Sequence, residues 1–415
     1  MVVVLHYQAG YGGDWLYFTE GFDLLVHGHA NVRHEFTTVH YGNGGLHLYG
    51  SDPDIQIGPL ALLLAGVVMA MNDVSRYLAP TVLILVGLAT LGGVERTALR
   101  MSPGTETKIR QLTLVGGVLV MYAWVQAFVQ WRHLDAMLVV VGAAVALSAV
   151  ARRQPWLLGA AIGLSVAAKP TALVLLPLLF ALDKRANLNA LAVAATLIGA
   201  FWLPFVIADP ATLHAGAPQI PIRLGSGLAA LGLRAGGAAP SAIRAAQLLV
   251  ALIGGGFAVV RRRWYLVPVI GFALRAGLDP SVESYYAIPV VMGALAADLL
   301  PAPTVPTTTM LTWLVFSEPF GLPGNYYWRA PSMTVQAWLR LCLPVVLAIV
   351  LVATPDRHTR AHPPADREPQ AAPLERISVH LPAGRVSSPG RRWPRSGLRP
   401  VRRGRAAARQ QPGPS

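Results

Sequence analysis

The stretch YGGDWLYF, residues 11–18, places a single carboxylate, Asp14, between glycines and aromatic side chains. One carboxylate suffices as a general base that takes a proton from a hydroxyl group. The neighbouring Trp15 and Tyr17 offer aromatic faces on which a ligand could stack. The alternative is a solvated loop aspartate beside aromatic residues that are enriched at membrane borders in any case. From the residues alone, this second interpretation is favoured.

Lys169 interrupts apolar sequence, at the junction of the runs 156–168 and 170–182. An ionisable group at such depth in a membrane protein is a functional candidate, because burying its charge is costly. A cation in a poorly hydrated site could hold an anionic group of a substrate. The alternative is that Lys169 extends its ammonium group to the outer interface.

Further candidate substrate-binding residues follow helix boundaries on the same side. Arg132 and His133 begin a helix in the sequence RHLDA, with Asp135 two residues later. Tyr285 lies in GLDPSVESYY at the entrance of another helix. Either set could contact a substrate. The alternative for Arg132 and His133 is anchoring at the membrane interface, and the alternative for Tyr285 is a place in an aromatic belt.

The composition is typical of a polytopic membrane protein. The 415 residues are 54% hydrophobic and 13% charged, with mean hydropathy +0.48, whereas soluble domains have about 25% charged residues.

The net charge of +14 is concentrated in residues 354–415, which hold 13 Arg and 4 Asp or Glu. This Pro- and Arg-rich segment is predicted to be a disordered basic tail on the cytoplasmic side. With Trp393 as its one aromatic residue, it gives no indication of nucleic-acid binding.

Apolar runs predict an all-α membrane helix bundle for residues 1–353. The runs cover about 57–71, 77–94, 112–130, 134–151, 156–168, 170–182, 187–208, 245–260, 264–276, 284–300, 306–317 and 335–353. Several are shorter than the ~20 residues that cross a bilayer squarely, so we expect about 11 transmembrane or half helices. Basic clusters between the runs mark the cytoplasmic loops. Whether 57–71 crosses stays open, and with it the side on which Asp14 lies.

Four stretches in order resemble a known family. They are GGDWLYFTEGFDLLVHG, HLYGSDPDIQIGPLALLLAG, RHLDAMLVVVGAAVALSAVARR and LLGAAIGLSVAAKPTALVLLPLL. Together they are similar to integral-membrane glycosyltransferases of the GT-C superfamily, of the polyprenyl-phosphate-mannose-dependent mannosyltransferase type (glycosyltransferase family 87-like). The chain departs from that pattern at Ala136, where many relatives have a second acidic residue. A first transmembrane helix before residue 1 is also expected from the resemblance.

The resemblance implies a function and a topology. The outer loop, residues 1–56, would carry Asp14 as catalytic base on the extracytoplasmic face, and a proline-headed helix at 57–71 would return to that face. The chain would be a multi-pass protein of the cell membrane that moves a sugar, expected to be mannose, from a polyprenyl-phosphate donor to a glycolipid or cell-envelope glycan. Two alternatives remain: a lipid-linked glycan flippase or polymerase-type carrier, and an inactive truncated paralogue.

No cofactor is predicted. Six of the eleven histidines fall within the first 47 residues, which raises the possibility of a divalent metal site. The HGH sequence at 27–29 lacks the usual ligand spacing and no Cys pair accompanies it. A polar loop that faces carbohydrate is the simpler interpretation.

Overall fold

The computed structural model describes residues 13–28, 44–51, 57–214, 220–281, 283–300, 302–317 and 329–353. The described residues all lie in one compact unit, Met1–Pro355. The predictions made for the tail, for most of the N-terminal histidines and for the side chain of Asp14 fall outside the described residues.

The described residues are helical, and no strand forms among them, in agreement with the predicted all-α class. An isolated antiparallel bridge joins Pro221 and Ala238. The α-helices are α1 (Gly13–His27), α2 (Leu48–Ser51), α3 (Pro59–Val74), α4 (Leu78–Met101), α5 (Glu106–Trp124), α6 (Leu134–Ala151), α7 (Pro155–Ala168), α8 (Lys184–Ala208), α9 (Gly227–Ala230), α10 (Ile243–Val260), α11 (Val267–Gly277), α12 (Ala287–Leu299), α13 (Thr307–Phe316) and α14 (Arg329–Ala353). A π-helical turn, Val125–Gln130, extends α5. The 3₁₀ segments are Gly45–His47, Pro170–Ala181, Pro210–His214, Trp264–Leu266 and Ser284–Tyr286.

Six of the helices in the described part of the chain are long and apolar enough to cross a membrane. They are Leu78–Met101, Glu106–Gln130, Leu134–Ala151, Lys184–Ala208, Ile243–Val260 and Met333–Ala353. Shorter apolar helices of 10–17 residues match the shorter runs of the sequence. Helix α6 is the central one, because 72% of its apolar window is buried, against 17–50% for the other five.

Two contacts define one end of the bundle. The indole of Trp124, near the end of α5, donates a hydrogen bond of 2.9 Å to the carbonyl of Leu83, near the start of α4. Gly142 of α6 packs against Ser165 of α7, where a Cβ atom would collide with the serine hydroxyl. The starts of α4 and α6 and the ends of α5 and α7 lie together, because α5 leads into α6 and Lys169, directly after α7, pairs with Asp135 in the first turn of α6. Because Lys169 follows α7, we call this the Lys169 end.

The opposite end of the bundle is basic. The loops and helix ends there carry Arg96, Arg100, Lys108, Arg110, Arg152, Arg153, Lys184, Arg185, Arg261, Arg262 and Arg263. Arg153 and Arg262 both adopt positive φ directly after a helix. A concentration of Lys and Arg in short loops is typical of cytoplasmic membrane borders.

Helix α3 begins and ends at the Lys169 end. The backbone N–H of Gly58, the residue before α3, donates to the carbonyl of Ala168 at 2.8 Å. Gly58 permits this approach, because a Cβ atom there would collide with the carbonyl of Ala167. The last residue of α3, Val74, is four residues before the start of α4 at the same end. Helix α3 is one continuous helix, so it runs along this end of the bundle, from the Ala168 contact to the start of α4.

The N-terminal helices pack on this end of the bundle. Helix α1 lies against α3, where Gly21 meets Leu62 and Gly66 meets Phe22. Buried Tyr49 of α2 donates a 2.8 Å hydrogen bond from its hydroxyl to the carbonyl of Ile57, and burial raises the pKa of this hydroxyl well above its usual value. The stretch predicted as an outer loop, residues 1–56, therefore contains two packed helices.

Candidate functional site

The side chain of Lys169 is turned into the bundle by the local sequence. Pro170 ends α7, and a residue before proline is pushed into extended backbone; Lys169 has φ −154° and ψ 115°. Its ammonium Nζ lies 2.5 Å from Oδ2 of Asp135, and the two side chains are 13% and 5% exposed. Extension of Lys169 to the interface, the alternative drawn from sequence, would require an exposed ammonium group. The observed group is instead held in a buried ion pair.

Asp135 occupies the first turn of α6. Its Oδ1 accepts a 2.6 Å hydrogen bond from the backbone N–H of Ala136, and Nδ1 of His133 lies 3.8 Å from the same oxygen. A helix N-terminus favours negative charge because its N–H dipoles point outward. The carboxylate is therefore stabilised by the backbone as well as by Lys169.

Arg132 and His133 form the short connection between the π-helical turn and α6. Arg132 is buried and adopts φ 56°. Arg153 and Arg262 have the same positive φ, each two residues after a helix. We therefore attribute the positive φ of Arg132 to the end of the preceding helix. The guanidinium carbon of Arg132 lies 4.9 Å from the ring centroid of Trp15 in α1, within the range of a cation–π contact.

Tyr285 contacts both His133 and Lys169. Its ring stacks on the imidazole of His133 with centroids 3.4 Å apart, and the Lys169 Nζ lies 5.3 Å from its centroid. Burial raises the pKa of the Tyr285 hydroxyl well above its usual value. Phe18 of α1 adds an edge-on contact to His133, with centroids 6.0 Å apart.

The five binding residues chosen from the sequence thus meet at one place. We call Arg132, His133, Asp135, Lys169 and Tyr285 the Lys169 cluster. They come from three separate regions of the chain, the α5–α6 connection, the α7 end and the start of α12. Asp14 lies in the first turn of α1, one residue before Trp15, which contacts the cluster.

A second buried ion pair borders the cluster and was not among the residues chosen from the sequence. The guanidinium of Arg275 donates to Oδ2 of Asp279 at 2.8 Å and lies 4.8 Å from the ring centroid of Tyr286. Lys169 lies over the same ring at 5.6 Å. Asp279 also accepts from the backbone N–H of Ser281, so this pair fixes the turn that presents the two tyrosines.

A sequence signal for the second pair does exist. Arg275 and Asp279 are spaced i, i+4 at the end of an apolar run, the spacing at which a helix brings two side chains together. No comparable signal marks the pairing of Asp135 with Lys169, which are 34 residues apart.

Among the described residues, no group of three or more His, Cys, Asp or Glu side chains is arranged to hold a metal ion. Comparisons with protein-family models, with curated proteins and with solved structures found no match to this chain.

Proposed function

We propose that the protein is an integral-membrane inverting glycosyltransferase of GT-C type. It would move a sugar, expected to be mannose, from a polyprenyl-phosphate donor to a glycolipid or cell-envelope glycan on the extracytoplasmic face of the cell membrane. The observation that supports this most directly is the Lys169 cluster: cations, a carboxylate and aromatic rings gathered at one end of an apolar bundle and contacted by the helix that begins beside Asp14.

The cations of the cluster suit a lipid phosphate. When the glycosidic bond to the phosphate breaks, the leaving group gains negative charge, and fixed cations in a poorly hydrated site stabilise that charge strongly. Lys169 and Arg132 are the cations in this role. Lys169 lies between Asp135 and two tyrosine rings, so a phosphate would approach it beside stacked aromatic surfaces that also suit a sugar.

Asp14 is the proposed base. It would take the proton of the acceptor hydroxyl while that oxygen attacks the anomeric carbon of the donor, and the polyprenyl phosphate would leave with the bonding electron pair. One displacement of this kind inverts the configuration and needs one carboxylate.

The basic loops support the proposed orientation. Positively charged short loops favour the cytoplasmic side, and here they lie opposite the Lys169 end. The cluster would then open to the extracytoplasmic face.

The direct test uses membranes that contain the protein and a radiolabelled polyprenyl-phosphate sugar. Asp14→Asn is expected to lower transfer at least about 100-fold, the lower bound of the range for loss of a general base. The matched control is Asp23→Asn on the same helix, whose carboxylate lies 3.5 Å from His27 at the surface; it should retain activity.

The outcome also separates the alternatives. Unchanged transfer by Asp14→Asn would remove Asp14 from the mechanism. Movement of the labelled lipid across the membrane without a new glycosidic bond would favour a flippase or polymerase-type carrier. Absence of both activities would favour an inactive paralogue.

A further inference from the structure

We propose that Asp135 is the counter-ion of Lys169 in the empty site and that the phosphate of the lipid ligand displaces it. This competition lowers the affinity of the site for phosphate. This inference rests on the proposed function, because it concerns the same phosphate. It assigns Asp135 the role of an affinity-setting residue, distinct from one that orients Lys169 toward the substrate.

The two partners of the ion pair are anchored very differently. Asp135 has a short side chain fixed at the start of α6 by the N–H of Ala136 at 2.6 Å. Lys169 has a flexible four-carbon stem, and its other neighbours are the faces of Tyr285 and Tyr286. Cation–π contacts keep their strength over a range of positions. The ammonium group can therefore turn from the carboxylate to a new anion while Asp135 keeps its backbone partner.

A phosphate competes well for this ammonium group. The donor is a phosphodiester with one negative charge, whereas the released polyprenyl phosphate is a monoester with a charge of about −1.5 to −2 near pH 7. Lys169 carries three N–H donors, so it can bond to phosphate oxygens once it leaves Asp135. Loss of the ion pair offsets part of that gain, as expected when two anions compete for one buried cation.

The consequence is greatest for the product. Without a competing anion, the more highly charged polyprenyl phosphate would stay bound longest. With Asp135 in place, the return of Lys169 to its resident partner favours release. Asp135 therefore limits product inhibition in the proposed reaction.

The direction in which Asp135→Asn changes the Kd for farnesyl phosphate tests this inference. The purified protein in detergent is titrated with farnesyl phosphate, a short polyprenyl monoester, and farnesol serves as the control ligand without phosphate. Asp135→Asn keeps the size of the side chain and an oxygen that can accept from Ala136. It is expected to lower the Kd for farnesyl phosphate about tenfold, because the competing charge is gone. Farnesol binding should not change.

An orienting role predicts the opposite sign. If Asp135 serves to aim Lys169 at the phosphate, the Asn variant binds farnesyl phosphate more weakly, and that result or an unchanged Kd would overturn the inference. Asp135→Ser removes the charge in a second way, should Asn fail to fold, and must shift the Kd in the same direction. The matched control is Asp298→Asn: Asp298 is a buried aspartate that accepts from the N–H of Thr309 at 2.9 Å, and its loss should leave the Kd unchanged.

The same titration distinguishes failure of the inference from failure of the proposed function. If the unmodified protein binds farnesyl phosphate no better than farnesol, the phosphate site itself is refuted and the counter-ion role with it. If it prefers the phosphate and Asp135→Asn weakens that preference, the phosphate site stands and the counter-ion role does not.

Discussion

At the scale of residues, the dominant feature is the buried pair of Asp135 and Lys169. Removing two charges from water is expensive, and such a pair is worth little beyond an apolar pair of the same shape. Its presence in an apolar bundle therefore favours a functional reason over a contribution to stability. Removing only one of the two residues is expected to destabilise the protein, because the other charge is then buried without its partner.

A double-mutant cycle tests this asymmetry. Lys169→Met is expected to destabilise the protein by about 3 kcal/mol because Asp135 remains charged and buried. Adding Asp135→Asn should recover a large part of that loss. The measurement is unfolding of the four proteins in detergent, followed by circular dichroism. Simple addition of the two single effects would contradict the interpretation.

The surface pair Arg223–Glu283 provides the comparison for that cycle. Its atoms are 2.7 Å apart, but the two side chains are 57% and 31% exposed. Exposed pairs contribute about 0–1 kcal/mol. Arg223→Gln is therefore expected to have a small effect on unfolding.

At the scale of elements, helix ends place the cluster. The π-helical turn ends just before Arg132, and α7 ends just before Lys169, which Pro170 follows. These helix ends place both side chains in the Lys169 cluster. π-Helical turns are frequently found at functional sites. Helix α3 contributes through its start, where the Gly58 N–H bonds to the carbonyl of Ala168, the residue before Lys169.

Gly58→Ala tests the role of this close approach. The added Cβ would collide with the carbonyl of Ala167, and overpacking of this kind costs about 1–3 kcal/mol. We expect a lower unfolding temperature together with reduced sugar transfer, since the backbone next to Lys169 must move. Gly92→Ala in α4 is the matched control, because nothing lies within 4 Å of a Cβ there. Equal behaviour of the two variants would show that the approach at Gly58 is not constrained.

At the scale of the whole molecule, the Lys169 cluster and the basic loops lie at opposite ends of the helix bundle. Helix α3 begins and ends at the Lys169 end, so the chain enters α4 from the same side on which α1 lies. The basic loops mark the other side. Large aliphatic side chains such as Leu114, Ile207 and Ile253 are exposed on the long helices, which is expected where lipid covers them.

Cysteine labelling tests the orientation. In a Cys342→Ser background, single cysteines replace the exposed residues Arg76, at the Lys169 end, and Gln154, at the basic end. An impermeant maleimide added to intact cells should label position 76 and leave position 154 unlabelled until the membrane is opened. The reverse pattern would place the cluster on the cytoplasmic face and contradict the proposed function.

The sequence by itself predicted the all-α class and the apolar helices of residues 57–353. Apolar runs are long and their ends are marked by charge, proline and glycine, so each run reappears as a helix near its predicted bounds. It also identified Arg132, His133, Asp135, Lys169 and Tyr285 as candidates, because polar groups next to membrane segments are costly and therefore informative.

Only the tertiary structure decided how these residues meet. The pairing of Lys169 with Asp135, the stacking of Tyr285 on His133 and the contact of Trp15 with Arg132 join regions far apart in the chain. The position of α3 at the Lys169 end and the packing of α1 within the predicted outer loop were likewise decided by the fold. Periodicity and charge report the local environment of each residue, whereas these contacts depend on which helices are neighbours.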